Sequence, residues 1–413
     1  VNGVNRTVSR VCTAAALAVL AATTAAPVSA SEPTQRDGIT TELHEGAAAP
    51  SIAAVAGYPK GKYVSYAPFR FIDTRANNKP LGPRGTSTMQ FTGGVPKGAT
   101  AVVFNLTATD VTADTFISVF PAGQPRSSAS AINLTKGMTR SNQVVVPLGS
   151  DAGKPAISFY NNAGSAHVIG DLSGFYSSSQ EGATGYGATA PKRVLDTRSG
   201  DPVGPGKETV LDLSKQVPDG VNAVTLNITG IAHSGNTYLT AYPDGTSRPT
   251  GSSVNIDAGD TTPNFVTVGL SQSKKLRIYN NNGSTDVLAD LSGYYGGDGT
   301  ASYQPVAPTR IADTRSSGGP LGPHGVRTVT ATGAPSDSPA ATVNLTGITP
   351  TVDTHLDAYA ANAQRPDTSN LNLKKGQILS NMANIPLGDG KFAVYNANGS
   401  THLVADLSGY FVP

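Results

Sequence analysis

Only one of the 413 residues is cysteine, Cys12, and none is tryptophan. Cys12 sits ahead of an alanine-rich apolar stretch near the N-terminus, so the rest of the chain has no thiol to form a disulfide, ligate a metal or attack a substrate. Charge is scarce too, at 14% of the chain, with 30 basic and 28 acidic residues. Setting aside Arg6 and Arg10 leaves 28 against 28 with no basic run, which excludes nucleic acid and anionic membranes as expected partners. Beyond the N-terminus no stretch approaches the roughly 18 uncharged apolar residues of a membrane span, so no membrane insertion is expected. Catalytic signatures are also missing. There is no Gly-x-Ser-x-Gly and no His-Glu-x-x-His.

The six histidines are scattered. His44 precedes the repeats described below, His233, His324 and His355 each occur in one copy only, and His167 and His402 share a position that Asp286 takes in the second copy. A shared catalytic histidine is thereby excluded, and the chain is read as a non-enzyme with no cofactor and no metal.

What the sequence has is a repeat. Arg-x-x-Asp-Thr-Arg occurs at Arg70 to Arg75, Arg193 to Arg198 and Arg310 to Arg315. Each is followed by Gly-Pro (Gly82, Gly204, Gly322), then by Asn-Leu/Ile-Thr from Asn105, Asn227 and Asn344. An Asn between two aliphatic residues comes next (Asn133, Asn255, Asn372), then Tyr-Asn from Tyr160, Tyr279 and Tyr395. Asp-Leu-Ser-Gly with two aromatics closes each copy, from Asp171, Asp290 and Asp406. The motif Asp73 advances by 123 and then 117 residues, and the closing Asp171 by 119 and then 116. Such a period is too long for a solenoid unit and long enough for each copy to bury its own core.

These landmarks divide the chain into a signal peptide (1–30), a disordered arm (31–62), and β-repeat units at 63–176, 190–295 and 303–413. Arg6 and Arg10, the apolar Ala14 to Ala22 and the cleavage-like Val28-Ser29-Ala30 support the signal, hence secretion to an extracellular or cell-wall location. Ser177 to Thr189 and Gly296 to Val306 are rich in Gly, Ser and Thr and read as flexible linkers.

Within a copy, the pattern alternates with period two. Val102, Phe104 and Leu106 face one side and Val103, Asn105 and Thr107 the other, and the same holds for Val224, Leu226, Ile228 and for Ala341, Val343, Leu345. About eight short strands per copy, separated by Gly, Pro, Asn or Asp turns, predict an all-β protein of three tandem β-sandwich (jelly-roll-like) domains of about 110 residues, with small closed β-barrels as the alternative.

Three sets of residues are singled out. A structural ion pair is expected between Arg75 and Asp171, Arg198 and Asp290, and Arg315 and Asp406, tying the ends of each unit together. Asn105, Asn227 and Asn344, read as outward polar positions, and Tyr160, Tyr279 and Tyr395 are the candidate ligand-binding residues. The Asn/Gly loops from Asn161, Asn280 and Asn396 lack the carboxylates of a calcium site and read as turns.

In combination, the ordered motifs resemble the Asp-Thr-Arg repeat modules of secreted and surface proteins of high-GC Gram-positive bacteria, over about residues 67 to 413. The third copy departs with Ala334-Pro335 where the others have Val95-Pro96 and Val217-Pro218. The resemblance implies an auxiliary, non-catalytic role. Expected partners are an extracellular or envelope polysaccharide, bound multivalently by a monomer, or alternatively a surface protein, with the repeats as interaction modules or spacers.

Overall fold

The computed structural model describes residues 57–413, together with the backbone of Thr34–Arg36 and Ile39–Glu45. The signal peptide expected at 1–30 lies outside the described residues. Among them there is no helix, and every regular element is a strand.

Each copy supplies two antiparallel sheets. In the first copy β3 (Lys62–Asp73), β11 (His167–Ser177), β5 (Ala99–Thr109) and β8 (Arg140–Pro147) form the inner sheet in that order. The outer sheet runs β4 (Thr86–Gly93), β10 (Lys154–Asn161), β6 (Thr115–Pro121), β7 (Ile132–Leu134), with β9 (Gly149–Asp151) also on β10. Two further strands, β1 (Thr34–Arg36) and β2 (Ile39–Glu45), extend it past β4, so this part of the segment read as a disordered arm is paired backbone.

The second copy repeats the order as β12 (Tyr186–Asp196), β19 (Thr285–Gly296), β14 (Val221–Ala232), β17 (Thr261–Gly269) over β13 (Lys207–Asp212), β18 (Lys275–Asn280), β15 (Thr237–Pro243), β16 (Val254–Ile256). The third does so as β20 (Ser302–Asp313), β27 (His402–Val412), β22 (Ala340–Ile348), β25 (Ile378–Pro386) over β21 (Val326–Thr330), β26 (Lys391–Asn396), β23 (Thr354–Ala360), β24 (Leu371–Leu373). All six sheets are open, which removes the closed-barrel alternative.

The alternation explains the pairing of sheets. Val102, Phe104 and Leu106 on β5 meet Ile157 and Phe159 from β10 in one hydrophobic cluster, and the other copies have their own. Yet the opposite face of β5 is buried as well: Val103, Asn105 and Thr107 are 1%, 8% and 3% exposed. A half-buried antiparallel strand leaves its polar face to water. Here that face meets the neighbouring copies, and the edge strands β8, β17 and β25 all touch one another.

The copies therefore close around a common centre and are not beads on a string. A fourth hydrophobic cluster draws on all three: Tyr63 and Tyr176, Tyr186 and Tyr295, Tyr303 and Phe411. Tyr63 stacks on Tyr295 at 4.2 Å between ring centroids, Tyr186 on Phe411 at 4.0 Å and Tyr303 on Tyr176 at 4.1 Å. Each stack joins a different pair of copies, so the set closes cyclically.

The backbone does the same. Tyr63 exchanges two main-chain hydrogen bonds with Thr184, Tyr186 with Ala301, and Tyr303 with Gly61. Thr184 and Tyr186, and Ala301 and Tyr303, belong to the two segments expected to be flexible linkers, and the correction has a plain cause: each segment delivers one tyrosine to the centre. Short tethers hold the units at millimolar effective concentration, against which an interface worth about 4 kcal/mol already associates. Burying two aromatic rings at about 2–3 kcal/mol each exceeds that.

The glycine of Asp-Leu-Ser-Gly is fixed by the same centre. A β-carbon at Gly174, Gly293 or Gly409 would collide with the phenol of Tyr63, Tyr186 or Tyr303 respectively.

Candidate functional site

The Asp-Thr-Arg motif does tie each unit together, but through its other arginine. Strand register places Arg70 directly opposite Asp171, Arg193 opposite Asp290 and Arg310 opposite Asp406. Arg70 donates from Nε to Asp171 Oδ1 at 3.0 Å and from Nη2 to Oδ2 at 3.2 Å, and Arg310 holds Asp406 likewise at 2.9 and 3.2 Å. Arg193 grips Asp290 by the same two-pronged contact.

Arg75, Arg198 and Arg315 turn back on their own motif, bonding Asp73, Asp196 and Asp313 through backbone N, Nε and Nη2. Their side chains are about half exposed, at 45%, 52% and 48%. The arginine bonds hold Asp196 and Asp313 down to about 2. Burial pushes the closing Asp171, Asp290 and Asp406 up from the usual carboxylate range, with the arginine opposing it.

Asn105, Asn227 and Asn344 are not on a free surface, contrary to the expectation that they bind ligand. Each donates from Nδ2 to a carbonyl of the next copy: Ser252 at 2.6 Å, Ser369 at 2.6 Å and Ser130 at 2.7 Å. Each Oδ1 accepts from a second asparagine across the interface, Asn264, Asn381 and Asn142. This second set escaped the sequence reading, although its spacing, matching that of Asn105, Asn227 and Asn344, was available as a signal. A buried amide must be paired, and Asn105, Asn227 and Asn344 find their partners across the interface because three copies meet.

Tyr160, Tyr279 and Tyr395 lie on the outer sheets, away from the asparagine belt, each under a guanidinium. Arg126, Arg248 and Arg365 sit 4.0, 3.7 and 4.1 Å from the ring centres. In the third copy Arg365 also bonds Asp357 at 2.9 Å; burial nonetheless pushes that carboxyl up to about 7. The loop asparagines Asn161, Asn280 and Asn396 are already engaged, each donating to one carbonyl of its own turn and to two of the Gly-Pro segment of the same copy. Among the described residues no group of three or more His, Cys, Asp or Glu could hold a metal ion.

Open space lies at the seams between copies. A groove of about 410 Å³ runs between the first and third, lined by Phe116, Ser130, Asn133 and Asn162 on one side and by Arg310 and Arg315 on the other. Between the second and third copies the corresponding groove, about 300 Å³, carries Asp353, Asn372 and Lys374 facing Gly259 and Asp260, with Arg140 of the first copy reaching in. Asp353 and Asn372 are the repeat equivalents of Asp114 and Asn133, so one architecture recurs with different side chains.

No family model and no curated protein matches the chain. Among solved structures, similarity is found to the Sulfolobus turreted icosahedral virus, at 11% identity and TM-score 0.19, over 89% of this chain and 98% of that one. A second is the triple jelly-roll structure from an archaeal virus, at 9% identity and TM-score 0.17, over 88% and 98%. The tandem CBM22-1–CBM22-2 domain from Paenibacillus barcinonensis Xyn10C is similar at 9% identity and TM-score 0.15, over 60% and 100%.

The seam grooves offer amides, hydroxyls and guanidinium groups, and the one between the first and third copies adds the partly exposed ring of Phe116. They can hydrogen-bond a polyhydroxylated ligand and cover one of its apolar faces.

Proposed function

We propose that this is a secreted, non-catalytic binding protein that attaches to an extracellular or cell-envelope polysaccharide, built from three jelly-roll-like β-sandwiches locked in a ring. Support for the sandwich reading comes from the facing sheets and single core cluster of each copy. The observation that carries the function is the seam groove between the first and third copies, a polar trough of Asn133, Asn162 and Arg315 with Phe116 as one aromatic wall; a second polar groove, without an aromatic, lies at the seam between the second and third copies. Two such grooves on one body suit a polymer that presents the same unit repeatedly.

The test is retention of the chain from residue 31 onward on insoluble glycans and isolated cell walls. Binding that falls at least fivefold in Phe116→Ala and Asn133→Ala supports the reading. A role as a protein-interaction module or spacer is the second reading, favoured by the ring's fully engaged centre. Capture only by a surface protein, with no glycan retained, would establish it instead.

A further inference from the structure

Arg140 is the odd residue of the asparagine belt. Its equivalents two positions before Asn264 and Asn381 are Thr262 and Leu379, so two copies manage without a charge at this place. Arg140 is nonetheless buried, 6% exposed. Nη1 donates to Thr262 Oγ1 at 2.5 Å, a neutral acceptor from the second copy. Among the described residues Nε has no hydrogen-bond partner, and Nη2 stands 3.7 Å from Asp260 Oδ2, too far for a hydrogen bond.

The Nε–Nη2 edge is the one with which Arg70 and Arg310 grasp a carboxylate in both prongs. In Arg140 Nε bonds nothing and Nη2 makes only the 3.7 Å ion pair with Asp260. Asp260 is engaged elsewhere, bonded to Lys374 of the third copy, and Asp353 accepts the backbone N–H of Lys375 at 2.9 Å. Burial accordingly pulls the Arg140 guanidinium below its ordinary value, and Asp260 and Asp257 offset this only in part. It stays ionised at any physiological pH.

A buried cation whose nearest carboxylate, Asp260, stands at 3.7 Å and is shared with Lys374 is a cost to the fold, and leucine or threonine at this position avoids it. Its presence in one copy only, at the wall of a 300 Å³ cavity with Lys374 beside it and Nε unbonded, points to a ligand that supplies the acceptor this edge lacks. The planar two-donor edge fits a carboxylate best.

We propose that the groove between the second and third copies is a subsite for an acidic sugar, whose carboxylate is held by Arg140 with Lys374 at the mouth. This rests on the polysaccharide reading and narrows it: one seam selects a uronic acid, while the seam lined by Phe116 carries no such requirement.

The experiment titrates the chain from residue 31 onward with tetragalacturonate, its methyl ester and dextran sulfate. Saturable binding of the acid is expected, weakened at least tenfold in the ester and at least tenfold by Arg140→Thr. Arg140→Leu should act alike, and Lys374→Gln should weaken binding severalfold. Both Arg140 substitutions install residues that other copies already carry, and a melting curve for each confirms the fold. Acid binding unchanged in Arg140→Thr, equal binding of acid and ester, binding of the sulfated polymer alone, or no saturable binding of the acid would each overturn the proposal. If neutral glycans or cell walls still retain the protein in those cases, the polysaccharide reading survives and only the acidic subsite falls.

Discussion

Asn264 of the second copy donates from Nδ2 to Oδ1 of Asn105 in the first at 2.9 Å, inside a seam closed to water. The same bond runs from Asn381 to Asn227 and from Asn142 to Asn344, each at 2.8 Å. Three asparagines that look solvent-facing along their strands thus hold the copies to one another.

Asn105→Ala should destabilise the whole assembly by about 2–3 kcal/mol, since the Ser252 carbonyl and the Asn264 amide both lose a buried partner. Urea denaturation measures this. A double-mutant cycle with Asn264→Ala should give a coupling of at least about 0.5 kcal/mol.

The two arginines of the repeated motif should separate cleanly. Arg310→Ala strands Asp406, 1% exposed, as an unpaired buried charge and is expected to cost about 3–5 kcal/mol. Arg315→Ala breaks a half-exposed pair with Asp313 and should cost less than about 1 kcal/mol. Equal costs in denaturant titrations would contradict the assignment of roles.

Asp357 makes stability depend on pH in an unusual direction. Its carboxyl is raised in the folded chain to about 7 from the ordinary 3.8, so folding favours the protonated form. The contribution is full below pH 4 and is lost as pH rises through 7, by up to about 4 kcal/mol. Asp357→Thr, which installs the residue of Thr240 in the second copy, should therefore raise the melting temperature at pH 8 relative to its effect at pH 4. Asp196 and Asp313, held at about 2, act oppositely: their contribution is present above pH 4 and fades as pH falls toward 2.

Gly293→Ala should destabilise by about 1–3 kcal/mol, because the added methyl meets the Tyr186 phenol, which is itself locked between copies by stacking on Phe411. Near-ultraviolet circular dichroism of the tyrosines should weaken in parallel.

The sequence made the all-β class and the inward faces legible. Period-two alternation in Val102 to Thr107 reports which side carries Phe104, and nearly constant motif spacing reports three copies. It could not say what the other face meets, because Asn105 and Thr107 have the same identity whether they face water or another protein surface. Arg70 was overlooked because cross-strand partnership depends on register, and β11 carries an irregularity between Gly170 and Asp171. Glycine- and serine-rich segments suggest freedom, yet Tyr186 and Tyr303 near their ends become anchors once an aromatic pocket exists. The seams, and with them the candidate site, arise only from packing three copies together, which no single-copy pattern encodes.

Small-angle X-ray scattering of the chain from residue 31 onward tests the closed ring most directly. A closed ring gives a radius of gyration of about 20 Å, that of one compact body of this length. A value above about 30 Å, with the broad distance distribution of separate units on flexible tethers, would contradict it.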